Sequence, residues 1–311
     1  IFVMNHRSNM DYLLVTYLAA QASALSYAVG EWARVWPLSR LIKSMGAYFI
    51  RRKSRGLLYR KVLARYVQMA TQGGVTQAIF PEGGLTVNGK LMPLKMGLLS
   101  YVVDGFDPEG RDVVFVPVAI NYDRVLEDRV LLAAHQRGDR RFGAKISVTM
   151  RFIMHKIWQK ARGRYVRFGI ASVSFGVPLS LKSMDRDAPL EALAAELKSR
   201  IEDVMPVLFV PVLAQVFLAS SGPLTIPELN NAVRSAIPRK RGSMPKLWEQ
   251  ALAEYITVAR KNMLVRGLIA ESGEGWIAVQ DERPLLQFYA NSLDGLVSDS
   301  PPPSDAADAK S

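Results

Sequence analysis

The chain has 311 residues, 49% of them hydrophobic and 22% charged, and a formal net charge of +12. That length allows one large domain with a smaller one, and the apolar content suffices for a full core. The absence of cysteine excludes a disulfide framework, a thiol nucleophile and Cys-based zinc sites, and three histidines (His6, His135 and His155) make a multi-histidine metal site unexpected.

The charge is unevenly placed. Residues 205–300 carry equal numbers of acidic and basic side chains, so the basic excess belongs to the region before them. No acidic residue lies between Glu31 and Glu82, a gap that holds Arg34, Arg40, Lys43, Arg51, Arg52, Lys53, Arg55, Arg60, Lys61 and Arg65. A one-signed block of this kind suits an anion: a phosphate ester, a nucleic acid or an anionic lipid surface.

The chain begins at Ile1, inside an apolar run that reads as a strand, so further sequence is expected before it. Asn5-His6-Arg7-Ser8-Asn9-Met10-Asp11 follows as a turn into a helix over 12–24, with His6 at the strand's mouth and Asp11 in the first helical turn. A loop can bend back over that spacing. A carboxylate on one imidazole nitrogen fixes the tautomer and leaves the other nitrogen free as a base. The spacing alone is a weak signal, because a His near an Asp is common.

A short strand is expected over 26–29. Trp32, Val35, Trp36, Leu38, Leu41 and Ile42, interleaved with Arg34, Arg40 and Lys43, then read either as an interfacial helix or as a packed helix pair around Pro37. Residues 47–50 read as a strand with Arg51 and Arg52 at its carboxyl end, where α/β sheets bind ligands; paired guanidinium forks suit a phosphate. The pattern predicts an amphipathic helix over 57–72, with Leu58, Val62, Tyr66 and Met69 at helical spacing, stopped by Gly73-Gly74.

A strand over 75–80 exits through Pro81-Glu82-Gly83-Gly84, where glycines let backbone N–H groups approach a ligand and Glu82 could orient a substrate or a catalytic group. Asn88-Gly89-Lys90 is a turn, and Lys95, a second phosphate candidate, precedes a helix over 98–103. Residues 111–120 are strand-like, with Pro117 implying a bend or a strand end. Strands over 145–151 and 166–175 are expected, with a short basic helix over 153–161 and a longer one over 189–204.

The stretch 204–219 has only Gln215 as a polar side chain, but a spanning helix needs about 20 residues, so a buried or interfacial helix is expected. Helix, helix and hairpin follow over 224–279 in a winged-helix-like order, then a last helix over 284–293. Residues 298–311 are Pro/Ser/Asp/Ala-rich and read as disordered. The expected organisation is an α/β unit over 1–203, a mixed sheet flanked by helices, and a small C-terminal helical, winged-helix-like unit over 204–297.

Four blocks occur in one order: Asn5-His6-Arg7-Ser8-Asn9-Met10-Asp11-Tyr12, Gly46-Ala47-Tyr48-Phe49-Ile50-Arg51-Arg52, Phe80-Pro81-Glu82-Gly83-Gly84, and Val116-Pro117-Val118-Ala119-Ile120-Asn121-Tyr122. Together they resemble the four motifs of the glycerolipid acyltransferase superfamily. Their form is most similar to the membrane-bound glycerol-3-phosphate acyltransferases. The likeness extends to Gly30, Trp36-Pro37, residues 89–100 and 285–293.

The resemblance implies acyl transfer from acyl-CoA or acyl-carrier protein to the sn-1 hydroxyl of glycerol 3-phosphate, giving lysophosphatidic acid for phospholipid synthesis. It implies no metal and no cofactor beyond the acyl thioester. His6 would be the general base and Asp11 its orienter. Arg51, Arg52, Lys90 and Lys95 would hold the phosphate, and Arg7, Ser8, Glu82, Gly83 and Gly84 would line the acceptor site. Val116 and Pro117 would border the acyl donor. A peripheral location on the cytoplasmic face of an anionic cell membrane is expected.

The third block departs from the family form, because Leu85 and Val87 stand where close members have arginine. Lysophosphatidic acid, another lipid or polyol acceptor, and a non-catalytic membrane homologue therefore stay open as alternatives. A nucleic-acid partner is not expected: the C-terminal unit is charge-neutral and 229–236 offers only Arg234.

Overall fold

A computed structural model describes residues 1–19, 26–30, 40, 46–50, 56–138, 169–185, 188–237 and 252–294. Its first part is a mixed sheet with helices around it. The strands are β1 (Phe2–Met4), β2 (Ser26–Gly30), β3 (Ala47–Ile50), β4 (Gln77–Ile79), β5 (Val114–Tyr122), β6 (Ala171–Phe175) and β7 (Leu179–Ser180). They lie in the order β3-β2-β4-β1-β5-β6, with β7 also on β5. Strands β1 to β5 run parallel, while β6 and β7 pair antiparallel with β5. Helices α1 (Asp11–Ala19), α2 (Leu57–Gln72), α3 (Gly97–Asp104), α4 (Asp128–Gln136) and α5 (Leu190–Asp203) follow strands or their exit loops. The fold class expected from the sequence is therefore present. The strand and basic helix expected over 145–161 and, apart from Arg40, the aromatic and basic stretch of 32–43 lie outside the described residues.

The parallel strands explain the position of the site. Parallel neighbours end on the same edge, so the residues after β1, β4 and β5 converge there. Asn5 extends the β1–β5 ladder with its side chain: its Nδ2 donates to Ile120 O (2.9 Å) and its Oδ1 accepts from Ile120 N (2.7 Å).

Pro117 neither ends nor leaves its strand. It sits within β5 beside Val3. The Val116 N–H bonds Ile1 O on the β1 side, whereas the Pro117 carbonyl accepts from Gly176 on the other side. The proline nitrogen thus faces the break where β5 changes partner from β7 to β6, and no ladder bond is lost there.

Helix α2 has the expected bounds, but its apolar stripe does not enter the core. Val67 is its buried residue, whereas Leu58, Val62, Tyr66 and Met69 are exposed. The helix packs on α3 through the other face.

The C-terminal part is built on α6 (Phe209–Ala219), the expected buried helix, which Phe209, Val210, Pro211, Val212, Leu213, Ala214, Val216 and Phe217 bury nearly all round. Around it lie α7 (Ile226–Ala236), α8 (Leu252–Val265), the hairpin β8 (Ile269–Ser272) with β9 (Gly275–Ala278), and α9 (Arg283–Ala290). Helix α7 opens with a capping box between Thr225 and Glu228. No helix among the described residues is long and apolar enough to cross a membrane.

The two parts share one hydrophobic cluster running from Val3 to Leu293. The exit of β5 ties them together. Asn121 Nδ2 donates to Pro206 O (2.8 Å), and Asp123 accepts from Val210 N at the start of α6 (3.1 Å) and from Ile170 N (3.0 Å).

Candidate active site

His6 follows β1 at the carboxyl edge of the sheet and is 3% exposed. Its Nδ1 lies 2.9 Å from Asp11 Oδ2. The turn between them is closed by Asp11 N donating to Ser8 O (3.0 Å). The same Oδ2 accepts from Arg7 N (2.7 Å) and Ser8 N (3.1 Å), while Oδ1 accepts from the Tyr122 hydroxyl (2.6 Å). Four donors therefore surround a carboxylate with no exposed surface. That arrangement fixes the carboxylate in place and orients the imidazole through its Nδ1. The other ring nitrogen, Nε2, lies 3.4 Å from the Tyr12 hydroxyl. Phe80 packs over the ring at 4.5 Å between centroids, and Tyr12 meets it edge-on at 5.2 Å.

Several residues expected to line the acceptor site also hold this turn in shape. Glu82 Oε1 accepts from His6 N (2.7 Å) and Oε2 from Met92 N (3.0 Å), so both oxygens are engaged by backbone. Ser8 Oγ donates to Glu127 Oε2 (2.8 Å), and Asn9 reaches Glu127 Oε1 through its side-chain amide (3.0 Å). Arg7 is 2% exposed and donates from Nη1 to Gly89 O (3.0 Å); its Nε and Nη2 find no partner among the described residues. Burial lowers its pKa, offset in part by Glu82 and Asp11.

The third block places Gly83 at φ +72, and a side chain there would press on the Lys95 ammonium, so Lys95 lies over this glycine. Gly84 is half-buried beside it. Lys90 is taken by an exposed ion pair to Asp294 (2.8 Å). Val116 and Pro117 pair with Phe2 and Val3, near the start of β1, and are not brought to the dyad; Ile120, Asn121 and Tyr122 are the β5 residues at its level. Arg51 and Arg52 lie outside the described residues. Leu85 and Val87, the two departures from the family form, pack partly buried against the core. His135 is exposed on α4, as expected for a surface residue.

The Tyr122–Asp11 bond spans 111 positions. No local spacing announces it; the one signal is that Tyr122 closes a strand parallel to the one before His6. Burial, and after it the charge of Asp11, raises the Tyr122 pKa, so the hydroxyl stays a donor.

Buried acids whose pKa is raised, Glu127 among them, give the fold a pH dependence, and the two with the largest shifts are Glu82 and Asp123. Burial pushes Glu82 up to about 8, against the pull of the His6 and Met92 N–H groups. Burial likewise pushes Asp123 up to about 6, against the Val210 and Ile170 N–H groups. Both hold a proton more tightly folded than unfolded, so stability falls as pH rises from the ordinary carboxylate range to about 8. Urea midpoints across this window are expected to decline with pH. In Glu82→Gln the decline above about pH 6 should flatten, while the lower part, set by Asp123, remains.

The Acyltransferase family model matches residues 1–121. The plsB1 protein of Mycobacterium tuberculosis (strain ATCC 25618 / H37Rv), whose name assigns it to the acyltransferases, is 28% identical over 320 residues, covering 96% of this chain and 50% of its own length. The glycerol-3-phosphate acyltransferase of Pseudoalteromonas atlantica is 30% identical over 194 residues, 61% of this chain and 23% of the relative. That of Ectopseudomonas mendocina is 33% identical over 194 residues, 61% of this chain and 22% of the relative. The chain thus spans half or less of the length of these curated relatives. Among solved structures, the 1-acyl-sn-glycerophosphate (LPA) acyltransferase PlsC from Thermotoga maritima aligns with a TM-score of 0.38 and 18% identity, covering 65% of this chain and 64% of that one. The family match falls on the segment that carries His6, Asp11 and Glu82 and runs to Asn121 near the end of β5, so this part of the chain is similar to acyltransferases.

Proposed function

We propose that this chain transfers a fatty acyl group from acyl-CoA or acyl-carrier protein to the sn-1 hydroxyl of glycerol 3-phosphate, as a peripheral enzyme on the cytoplasmic face of the cell membrane. The observation that carries the reading is the buried His6–Asp11 pair, with Nδ1 held and Nε2 left as the base. His6 Nε2 takes the proton of the acceptor hydroxyl as its oxygen attacks the thioester carbonyl. The C–O bond forms, the C–S bond breaks, and the imidazolium returns its proton to the departing thiolate. Asp11 stabilises the imidazolium while it exists. No nucleophile on the protein is needed, because the thioester is already activated.

Lys95, exposed over Gly83, is the phosphate ligand this reading draws from the described residues, with Arg51 and Arg52 added from the second block. The runner-up acceptor is lysophosphatidic acid or another lipid or polyol. It is favoured by one observation: apolar Leu85 and Val87 occupy the family's arginine positions. An acceptor panel with radiolabelled acyl-CoA decides between them. Higher turnover with glycerol 3-phosphate supports the first reading, higher turnover with lysophosphatidic acid the second. No transfer to any acceptor, from CoA or carrier-protein donors, sinks both in favour of a non-catalytic homologue.

Tyr122 acts through Asp11 as a positioning residue. Tyr122→Phe removes one hydrogen bond to a charged group, a loss of about 1.5–3 kcal/mol of stability. The carboxylate, freed at Oδ1, holds the imidazole less firmly, so kcat is expected to fall with KM little changed. An unchanged kcat in folded Tyr122→Phe protein would mean that the hydroxyl only packs.

A further inference from the structure

The stripe on α2 stays out of the core, and the proposed reaction does not use it. Leu58 is 76% exposed, Val62 59%, Met69 58% and Tyr66 46%, and Leu57 at the start of the helix is 65% exposed. Positions 58, 62, 66 and 69 share one face of an α-helix. Exposed Lys61 and Arg65 border that face, and exposed Arg60 adds a third base on the same helix. The helix has no acidic residue, nor does any position between Glu31 and Glu82. A run of exposed large apolar side chains edged by one sign of charge is what an interfacial helix presents to a lipid surface.

Position in the fold sharpens the assignment. Strand β3 is the outer strand of the sheet and runs parallel to β1. Its carboxyl end therefore opens on the same edge as His6, three strands away, about 14 Å at the usual spacing. Leu57 begins α2 shortly after that end. We propose that the exposed face of α2 is the surface through which this protein docks on an anionic phospholipid bilayer, with Leu58, Val62 and Met69 entering the acyl boundary, Tyr66 anchored at its edge by its ring contact with Tyr48 (5.0 Å between centroids), and Lys61 and Arg65 meeting lipid phosphates. Docking there brings the catalytic edge of the sheet towards the membrane plane.

This specifies the peripheral-membrane part of the proposed function and does not depend on the reaction, because vesicle binding is read without substrate. The full chain is sedimented with vesicles of equal parts phosphatidylglycerol and phosphatidylcholine, and with phosphatidylcholine alone. The wild type should pellet with the anionic vesicles and much less with the neutral ones, and added salt should release it. Leu58→Glu with Val62→Glu should cut the apparent affinity by at least about tenfold. Lys61→Gln and Arg65→Gln should each cut it about fivefold.

Thermal midpoints and light scattering accompany the assay. Unchanged pelleting of the Leu58/Val62 variant overturns the proposal. So does equal binding to neutral vesicles. A large fall in Tm for that variant would mean that the face packs against protein. A wild-type dimer made monomeric by the change, with vesicle binding intact, would assign the face to a second copy.

Discussion

His6→Ala is expected to lower acyl transfer by about 10²–10⁴-fold, the range that a positioned general base contributes. The loss should appear in kcat rather than in KM for either substrate, because the imidazole acts on the proton that moves in the transition state. The fold should survive. Without the ring, Asp11 keeps the Arg7 and Ser8 N–H groups and the Tyr122 hydroxyl, so its carboxylate is not orphaned. The contacts with Phe80 and Tyr12 are lost, a modest cost at one side of the core. Asp11→Ala is the instructive contrast, because it strips an acceptor from two buried N–H groups and a hydroxyl at once and mixes unfolding with inactivation. The check is radiolabelled transfer to glycerol 3-phosphate beside a thermal melt. Near-normal turnover in folded His6→Ala protein would remove the mechanism.

The dyad was legible because its parts are five residues apart and one turn closes them. What a turn cannot announce is who holds the turn. Tyr122, Glu127 and Gly89 reach it from distant positions. Glu82 was legible as a site residue but not as a backbone acceptor: a glutamate at a strand exit reads the same whether it faces substrate or the neighbouring loop. The strands were legible as apolar runs alternating with helices, but their order in the sheet was not, and the strand end that Pro117 suggested is absent, since its cost depends on which side of the strand its nitrogen faces. Helix α2 shows the limit most clearly. Periodicity gave its bounds and its stripe, but a stripe that faces outward and one that faces a core have the same spacing; burial alone separates them. The phosphate-binding expectation at Arg51 and Arg52 lies outside the described residues, so the proposed acceptor contacts rest on Lys95 beside Gly83 and on the partly buried Leu85 and Val87.

Asp128→Ala is expected to destabilise the protein by about 3–5 kcal/mol, the cost of removing one partner from a buried ion pair. Asp128 and Arg266 are both nearly buried and paired to each other. The Tyr289 hydroxyl donates to the same carboxylate (2.5 Å) and accepts from Val125 N (3.1 Å) and from Arg266 Nη1 (3.2 Å). One carboxylate thus joins α4, the end of α8 and α9. Its loss leaves a buried guanidinium without its counter-charge, and a lower urea midpoint reads the effect. Arg266→Met with Asp128→Leu, which removes both charges, should recover much of the stability, because the penalty lies in the orphan rather than in the missing attraction.

The consequence extends to the dyad. Helix α9 also carries Phe288, whose carbonyl lies so close over Gly89, at φ +83, that no side chain fits there. Gly89 in turn accepts from Arg7, the neighbour of His6. Loosening α9 should therefore lower kcat in Asp128→Ala even at temperatures where it stays folded, and the double replacement should restore both together. Recovered stability with kcat still depressed would show that the C-terminal unit reaches the active site through the Asp128 charge itself and not through the seat of α9 on Gly89.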